Sequence, residues 1–271
     1  MSWGHPRLSP PERRILALGG GGFTAGPRDA ALDDLVLELS PRREPRICFL
    51  PTASGDPDEQ VGRFYATFAD RPCHPSHVSL FRLADDPVPL AERILGQDVI
   101  YVGGGSMRNL LAIWRAHQLD ALLCSAWRRG IALAGLSAGA MCWFAGGITR
   151  SGGRPEPIAG LGLLAGSLSV HRSSEPERLP AFRAAIRRGS LPAGWALDDG
   201  VGVLFEGRRL ARALTARADG RAVHVERRKG EVVETELECE RLAAPEPGEP
   251  RVVPADVREL RALRYRSALR G

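Results

Sequence analysis

Four short apolar segments, each followed by glycine or proline, set the strongest limit on how this chain folds. They are residues 15–18, 46–50, 98–102 and 131–134. Almost every side chain in them is apolar, as in strands that are buried on both faces, and stretches with helical spacing lie between them. Strands that alternate with helices predict an α/β fold whose mostly parallel sheet is covered by helices on both sides.

The stretches between these strands predict one further strand and four helices. The strand is expected at residues 77–83, and the helices at residues 29–39, 56–70, 107–117 and 120–129. Glycine-rich loops, Gly19 to Gly22 and Gly103 to Gly105, directly follow two of the strands. They should therefore lie at the carboxyl edge of the sheet, where open α/β sheets bind ligands.

The second half of the chain shows a less regular pattern. We expect a loop at 146–160, a strand at 163–170, a helix at 176–188, a strand-turn-strand unit at 195–205, an antiparallel hairpin at 221–242 and a C-terminal helix at 254–269. The hairpin turn is expected at Lys229-Gly230. No repeat or linker divides the pattern, so we expect a single domain over residues 1–271, with 1–13 as a loose N-terminal arm.

Composition excludes several classes of protein. Hydrophobic residues make up 44% of the 271 residues and charged residues 25%, which argues against a disordered or collagen-like chain. The sequence contains no run of about 18 apolar residues, so no membrane helix is predicted. We also expect no secretory signal. The five cysteines are odd in number and form no Cys-x-x-Cys pair. Reduced thiols in a cytoplasm are therefore expected, rather than a disulfide scaffold or a zinc knuckle.

The charge balance is basic, but it does not indicate a nucleic-acid partner. Formal net charge is +5, and Lys229 is the only lysine beside many scattered arginines. No RNA- or DNA-binding motif accompanies these arginines, so a solvated surface is favoured over an anionic partner.

The segment at 131–134 runs into Gly135-Leu136-Ser137-Ala138-Gly139 and then into an apolar, helix-like segment. Gly-x-Ser-x-Gly between a strand and a helix is the pattern of a nucleophile elbow, whose strained turn exposes the serine hydroxyl above the sheet. The N–H of Ala138 then points to the same side and can stabilise an oxyanion, above the positive end of the helix. A tight turn with an incidental serine is the alternative.

A nucleophilic serine needs a base, and His171 is the best candidate among the six histidines. It comes after Ser137 in the chain and directly after the strand predicted at 163–170. We therefore expect it at the same sheet edge as the elbow. The alternative is a histidine in a surface loop.

Further motifs follow one another in a fixed order: Leu50-Pro51-Thr52-Ala53-Ser54, Tyr101-Val102-Gly103-Gly104-Gly105, the elbow with Ala140, and Leu161-Gly162-Leu163-Leu164 followed by His171 and Glu175-Pro176-Glu177-Arg178. In this order and spacing they resemble the peptidase E/cyanophycinase family of serine peptidases. The likeness runs from about Ile15 to Phe205. It implies a flavodoxin-like, three-layer α/β/α fold, related to class I glutamine amidotransferases.

The resemblance also implies roles for individual residues. Ser137 would be the nucleophile and His171 the general base. The oxyanion hole would combine the N–H of Ala138 with that of Gly104 or Gly105. A glycine loop suits this role, because its lack of side chains lets a peptide carbonyl approach the N–H groups.

Members of this family usually supply a carboxylate, in the loop after the nucleophile helix, that orients the histidine. Arg150 stands at that place here. Glu156, further along the loop, and Glu175, four residues after His171, are the available substitutes. Both can also be solvated acids, which is the default for such residues.

The resemblance implies short peptides as substrates, including dipeptides with an N-terminal aspartate. Arg172 and Arg178 could bind such an acid, although both could also be solvated. Ser106 follows the glycine loop where peptidase E itself has an asparagine, so strict aspartyl specificity is one option among several. No metal-ligand motif occurs, so neither a metal nor another cofactor is expected. A homodimer is compatible with the sequence, and no membrane partner is expected.

Three other functions remain open. An α/β-hydrolase esterase would carry a histidine before the glycines of its oxyanion motif, but Leu18 precedes Gly19. A dinucleotide-binding domain would match the glycines after the first strand, yet no acid follows the second strand to hold a ribose. A non-catalytic, peptide-binding relative on the same fold is the third, and Arg150 is the feature that favours it.

Overall fold

The apolar segments form the centre of the fold. A computed structural model describes residues 13–243. The described strands are β1 Arg14–Leu18, β2 Arg46–Leu50, β3 His74–His77, β4 Val99–Val102, β5 Ala132–Leu136, β6 Phe144–Thr149, β7 Glu156–Ala159, β8 Leu164–Ser169, β9 Gly194–Leu197, β10 Val201–Glu206, β11 Arg209–Thr215, β12 Ala222–Arg228, β13 Glu231–Leu237 and β14 Glu240–Arg241. The described α-helices are α1 Ala30–Glu38, α2 Asp58–Phe68, α3 Leu90–Leu95, α4 Met107–Ala116, α5 Leu119–Arg128, α6 Ala138–Met141 and α7 Arg178–Arg187.

Within residues 13–243 the strands form two sheets. The larger, sheet A, has the order β14-β11-β10-β1-β5-β4-β2-β3. Five neighbouring strands of this sheet are parallel, namely β1, β5, β4, β2 and β3. Strand β10 pairs antiparallel with β1, and β11 pairs antiparallel with β10. The predicted α/β class with a mostly parallel sheet is confirmed. No helix in this part of the chain is both long and apolar enough to cross a membrane.

Sheet B has the order β13-β12-β9-β8-β6-β7, and the sequence did not predict it as a sheet. The loop expected at 146–160 is wrong, because β6 and β7 occupy most of that range. The glycines there mark close strand packing: a Cβ on Gly146 would lie 2.8 Å from the Ile158 carbonyl oxygen, and one on Gly147 would lie 2.6 Å from that of Leu168. Both contacts require glycine in the strand.

Other local predictions meet the structure in different ways. The strand expected at 77–83 is wrong, because β3 ends at His77 and residues 80–85 form a 3-10 helix. The predicted hairpin is confirmed as the antiparallel pair β12–β13. The unit at 195–205 is also present, but β9 belongs to sheet B and β10 to sheet A. The C-terminal helix expected at 254–269, and all of the N-terminal arm except its last residue, lie outside the described residues.

Side chains alternate between the two faces of sheet A, and each face packs against a separate layer. One face, which includes Leu16 and Phe49, packs against α1 and α2. The other face packs against α4, α5 and sheet B in a second core. The Phe205 ring of β10 lies 5.2 Å from that of Trp195 in sheet B, measured between centroids, so a continuous apolar core joins the sheets. Helix α7 covers the outer face of sheet B.

A buried ion pair ties the start of α1 to the loop after β11. Asp29 is 0% exposed. Its Oδ1 accepts a hydrogen bond from Arg217 Nε at 2.9 Å, and its Oδ2 accepts one from Arg217 Nη2 at 2.7 Å. Without the guanidinium, the Asp29 carboxylate would be left buried and unpaired, which is costly in free energy.

We expect Arg217→Leu to lower the free energy of unfolding by about 3 kcal/mol, because it removes one partner of a buried pair. Urea denaturation followed by circular dichroism measures the change. Arg63→Leu is the matched control, since Arg63 pairs with Glu59 on the exposed face of α2 and should change stability by no more than about 1 kcal/mol. Equal losses in the two variants would contradict the role given to Asp29.

A second buried carboxyl makes stability depend on pH. Asp33, on the inner side of α1, accepts a hydrogen bond from the Phe23 N–H at 3.0 Å. Burial raises its pKa to about 7, against the opposing effect of Arg71. A carboxyl whose pKa is raised by folding stabilises the folded state less as pH rises from the unfolded value toward the folded one.

Wild type should therefore lose stability relative to Asp33→Asn as pH rises. The free energy of unfolding of the variant minus that of wild type should increase by at least about 1 kcal/mol between about pH 4 and about pH 7, and this difference should stay constant above that range. Thermal or urea unfolding of both proteins across this range measures the difference. A difference that is constant with pH would show that Asp33 ionises normally.

Candidate active site

The predicted elbow serine lies where β5 ends. Ser137 has φ 54° and ψ −115°, a strained conformation for a residue with a side chain, and its N–H donates to the Leu18 carbonyl at 3.0 Å. Its Oγ lies 2.8 Å from His171 Nε2. The helix that follows is shorter than expected, because α6 is a single turn of four residues. The helix dipole therefore contributes little here, and the turn itself orients the hydroxyl.

His171 follows β8 and is also strained, with φ 56°. Its N–H donates to the Gly19 carbonyl at 3.2 Å, which fixes the start of its loop on the end of β1. On the side of the ring away from Ser137, Nδ1 lies 2.5 Å from Asp199 Oδ1. Because a carboxylate only accepts, Nδ1 carries the proton and Nε2 is left to accept one from the serine hydroxyl.

Asp199 is the site residue that the sequence did not predict. It lies in the turn between β9 and β10, and its second oxygen accepts a hydrogen bond from Ser174 Oγ at 2.5 Å. Burial raises the pKa of Asp199, but hydrogen bonds from His171 and Ser174 outweigh burial and hold that pKa below its usual range. The carboxylate is therefore ionised at neutral pH and can hold the imidazole in one tautomer and orientation.

The expectation that Glu175 or Glu156 orients His171 is corrected by their contacts. Glu175 Oε2 accepts from Arg178 Nε at 2.7 Å and from Arg150 Nη1 at 3.1 Å. Glu156 Oε1 accepts from Arg108 Nη2 at 2.6 Å. Both carboxylates are neutralised by arginines, so neither hydrogen-bonds to the imidazole.

Arg150, at the place where the family resemblance implied an acid, belongs to the same cluster of charges. It pairs with Glu175 and, at 3.0 Å, with Glu177. Burial raises the pKa of Glu175, but Arg178 and Arg150 outweigh it and hold that pKa below its usual range. The arginine thus stabilises a surface ion-pair cluster beside the site.

A signal for Asp199 was present in the sequence. It is the second residue after the short strand at 194–197, as His171 is the second residue after β8. Strands β8 and β9 are parallel neighbours in sheet B, so residues just after them share one edge. The pattern at 195–205 predicts a strand-turn-strand unit, and nothing in the sequence shows that its two strands belong to different sheets.

Three backbone N–H groups near Ser137 are free to bind an oxyanion. Within residues 13–243, the N–H groups of Ala138, Gly104 and Gly105 have no hydrogen-bond partner. Gly104 is beside the nucleophile, since a Cβ built on it would lie 3.2 Å from Ser137 Cβ, whereas Gly105 packs against Ala53. The N–H groups of Ala138 and Gly104 are therefore the available donors beside Ser137, as the sequence-based oxyanion hole requires.

The other expected substrate ligands make internal contacts. Ser106 caps α4 by accepting from the Asn109 N–H at 3.2 Å, and its hydroxyl lies 3.0 Å from that of Ser151. Arg172 pairs with Asp198 at 2.8 Å.

Arg178, whose side chain is 7% exposed, donates to Glu175 and to the Ile148 carbonyl. Both guanidinium groups, of Arg172 and of Arg178, are thus held in ion pairs within the protein, and their expected role on substrate stays a prediction. In the described part of the chain, no group of three or more His, Cys, Asp or Glu side chains could hold a metal ion.

Comparison with known proteins agrees with this geometry. The model of peptidase family S51 matches residues 15–213. The uncharacterized peptidase YgaJ of Bacillus subtilis (strain 168) is 42% identical over 225 residues, which cover 83% of this chain and 97% of that protein.

Two solved structures have a similar fold. A peptidase from an acI-B1 Actinobacterium has a TM-score of 0.59 at 14% identity, covering 84% of this chain and 95% of that one. A peptidase E candidate from Listeria monocytogenes EGD-e has a TM-score of 0.51 at 14% identity, covering 84% and 100%. The resemblance found in the sequence motifs is confirmed. The family match over most of the chain, with the 42% identical relative, shows that the chain belongs to peptidase family S51 and is a serine-type peptidase.

Proposed function

We propose that this peptidase is an exopeptidase that hydrolyses short peptides, in the manner of a peptidase E-like dipeptidase, through an acyl-enzyme on Ser137. The observation that carries the proposal is the chain of contacts from Ser137 Oγ to His171 Nε2 at 2.8 Å and from His171 Nδ1 to Asp199 at 2.5 Å. The match to peptidase family S51 and to the peptidase YgaJ supports hydrolysis of peptide bonds.

In the first step, Ser137 Oγ attacks the scissile carbonyl carbon while His171 Nε2 takes the hydroxyl proton. Asp199 stabilises the imidazolium that forms, without taking the proton itself. The carbonyl oxygen becomes an oxyanion and accepts hydrogen bonds from the N–H groups of Ala138 and Gly104. The absence of other hydrogen-bond partners for these two N–H groups within residues 13–243 supports this role.

In the second step, the tetrahedral intermediate collapses and the C–N bond breaks. His171 gives its proton to the departing amine, which leaves as the first product. A water molecule then attacks the Ser137 ester with His171 again acting as general base, and the second collapse returns the proton to Ser137 Oγ. No group beyond these side chains and backbone donors is needed for the proton transfers.

The preference for an N-terminal aspartate has less support than the reaction itself. Arg172 and Arg178, the cations expected to bind it, are held by Asp198 and Glu175. Substrates with apolar and basic N-terminal residues therefore belong in the same test. The non-catalytic alternative was favoured only by Arg150, which stands where the resemblance implies an acid. The contact of Asp199 with His171 removes this reason, because Asp199 can supply the carboxylate.

A cytoplasmic location is part of the same proposal. It is supported by the five cysteines, all of which are free thiols in the structure. Thiols that stay unpaired are typical of a reducing compartment.

Ser137→Ala should lower the release of free amino acids from di- and tripeptides by at least about 1000-fold, because it removes the nucleophile and leaves only oxyanion stabilisation and binding. A panel with acidic, apolar and basic N-terminal residues, each also tested with an acetylated N-terminus, reports both rate and specificity. Circular dichroism should show an unchanged fold. Cleavage of blocked and free peptides at equal rates would contradict action at a free N-terminal residue, and an undiminished rate in Ser137→Ala would contradict the mechanism.

Asp199→Asn should lower kcat by about 1000-fold or more with little change in KM, because an amide can hold His171 in the wrong tautomer. Glu156→Gln is the control, since that carboxylate was the sequence-based candidate and contacts Arg108 instead. Its kcat should stay within about threefold of wild type, as expected for a surface change away from the reacting atoms. Similar losses of kcat in the two variants would contradict the role of Asp199 in orienting His171.

A further inference from the structure

The glycine loop after β1 has no role in the proton transfers. Carbonyls of the last residue of β1 and of this loop nevertheless accept hydrogen bonds from the three segments that carry Ser137, His171 and Asp199. The Leu18 carbonyl accepts from the Ser137 N–H at 3.0 Å, and the Gly19 carbonyl accepts from the His171 N–H at 3.2 Å. The Gly20 carbonyl accepts from the N–H of Gly200, the residue after Asp199, at 3.0 Å. Three consecutive peptide units therefore set the relative positions of nucleophile, base and acid.

Gly20 lies directly against the hydrogen bond between His171 and Asp199. A Cβ built on Gly20 would overlap Asp199 Oδ1, and it would lie 2.7 Å from His171 Cε1 and 2.9 Å from His171 Nδ1. These distances are shorter than any ordinary carbon contact, so a methyl group at residue 20 and the present His171–Asp199 geometry exclude each other. The neighbouring glycines differ, because a Cβ on Gly19 or Gly21 would meet Asp198 or Asp29 instead.

The turn that carries Asp199 cannot simply move away from such a methyl group. Arg217 packs against the other side of it, where a Cβ on Gly200 would lie 2.6 Å from Arg217 Cδ. Arg217 is in turn held by both oxygens of buried Asp29. Arg217 therefore limits movement of the backbone of the turn at Asp199 and Gly200. A clash at residue 20 would instead be relieved by displacement of the His171 and Asp199 side chains.

We propose that Gly20 is a positioning residue for the peptidase reaction: its missing side chain lets the end of β1 press against the His171–Asp199 hydrogen bond and keep it aligned with Ser137. This role depends on the proposed function, since alignment matters for turnover only if these residues perform the chemistry. It gives the glycine loop a purpose other than the nucleotide binding that its spacing resembles.

Gly20→Ala should lower kcat by about 100-fold while KM stays within about threefold, as expected when catalytic groups are displaced by about 1 Å. Gly26→Ala is the matched control. Gly20 has φ 154° and Gly26 has φ 73°, so alanine carries backbone strain at both positions, but a Cβ on Gly26 would meet nothing within 4 Å. Turnover of Gly26→Ala should match wild type. Equal effects of both substitutions on kcat would overturn the proposal.

A double-mutant cycle separates positioning from a general structural effect. If Gly20→Ala acts by displacing Asp199, it should cost no more than about threefold in kcat when added to Asp199→Ala, which has already removed that carboxylate. Multiplicative losses would show that residues 20 and 199 act independently and would overturn the proposal. If Gly20→Ala alone does not fold, recovery of folding in Gly20→Ala/Asp199→Ala supports the proposed clash, and failure to recover contradicts it.

A readout that does not depend on peptide turnover distinguishes this proposal from the proposed function. Nitrogen-15 NMR of labelled histidine, with His171→Ala used to assign the signal, reports which ring nitrogen of neutral His171 carries the proton. We expect Nδ1 in wild type and in Gly26→Ala, and a shift toward Nε2 in Gly20→Ala. If wild type cleaves no peptide but this shift occurs, the proposed function fails and the positioning role stands. An unchanged tautomer of His171 in folded Gly20→Ala overturns the positioning role of Gly20.

Discussion

Backbone hydrogen bonds at the end of β1 are the constraint on which the active site depends. Parallel pairing of β1 with β5 continues one residue beyond the strands, to the bond between Ser137 and the Leu18 carbonyl. The next two carbonyls bind the loops that follow β8 and β9. A site that draws on two sheets is thereby held together by backbone carbonyls at the end of one strand and in the loop that follows it.

In the proposed mechanism the two sheets divide the catalytic task between them. Sheet A would supply the nucleophile after β5 and the free N–H groups after β4, whereas sheet B would supply His171 after β8 and Asp199 after β9. Both sheets place these residues beyond the carboxyl ends of parallel strands. The shared apolar core under Phe205 and Trp195 fixes one sheet on the other, so the distance from Ser137 to His171 is a property of packing as well as of local turns.

Local signals in the sequence were enough to predict the parallel strands β1, β2, β4 and β5, the elbow serine and the place of His171 after a strand, because these depend on short apolar runs and on turn chemistry. Sheet B and Asp199 could not be predicted in the same way. Strand β6 contains Gly146 and Gly147 because neighbouring backbones approach closely there, and Pro157 lies in β7 at the edge of sheet B. Both features are visible only in three dimensions. Likewise, Asp198-Asp199-Gly200 has the composition of any tight turn, and its place beside His171 follows from sheet order.

Arg150 shows why a missing residue in a motif is weak evidence against activity. Its guanidinium group attracts Glu175 and Glu177, while the carboxylate that His171 needs comes from another strand altogether. An imidazole requires an anion near Nδ1 in a suitable direction, and the chain position of that anion is irrelevant to the chemistry.

A crystal structure of the protein with a peptidyl boronic acid bound would test most directly whether these groups form one catalytic unit. A tetrahedral adduct on Ser137 Oγ is predicted, with one boronate oxygen accepting from the Ala138 and Gly104 N–H groups and with His171 still bonded to Asp199. An adduct on a different residue, or one on Ser137 with its oxygen turned away from these donors and Asp199 separated from the imidazole, would contradict it.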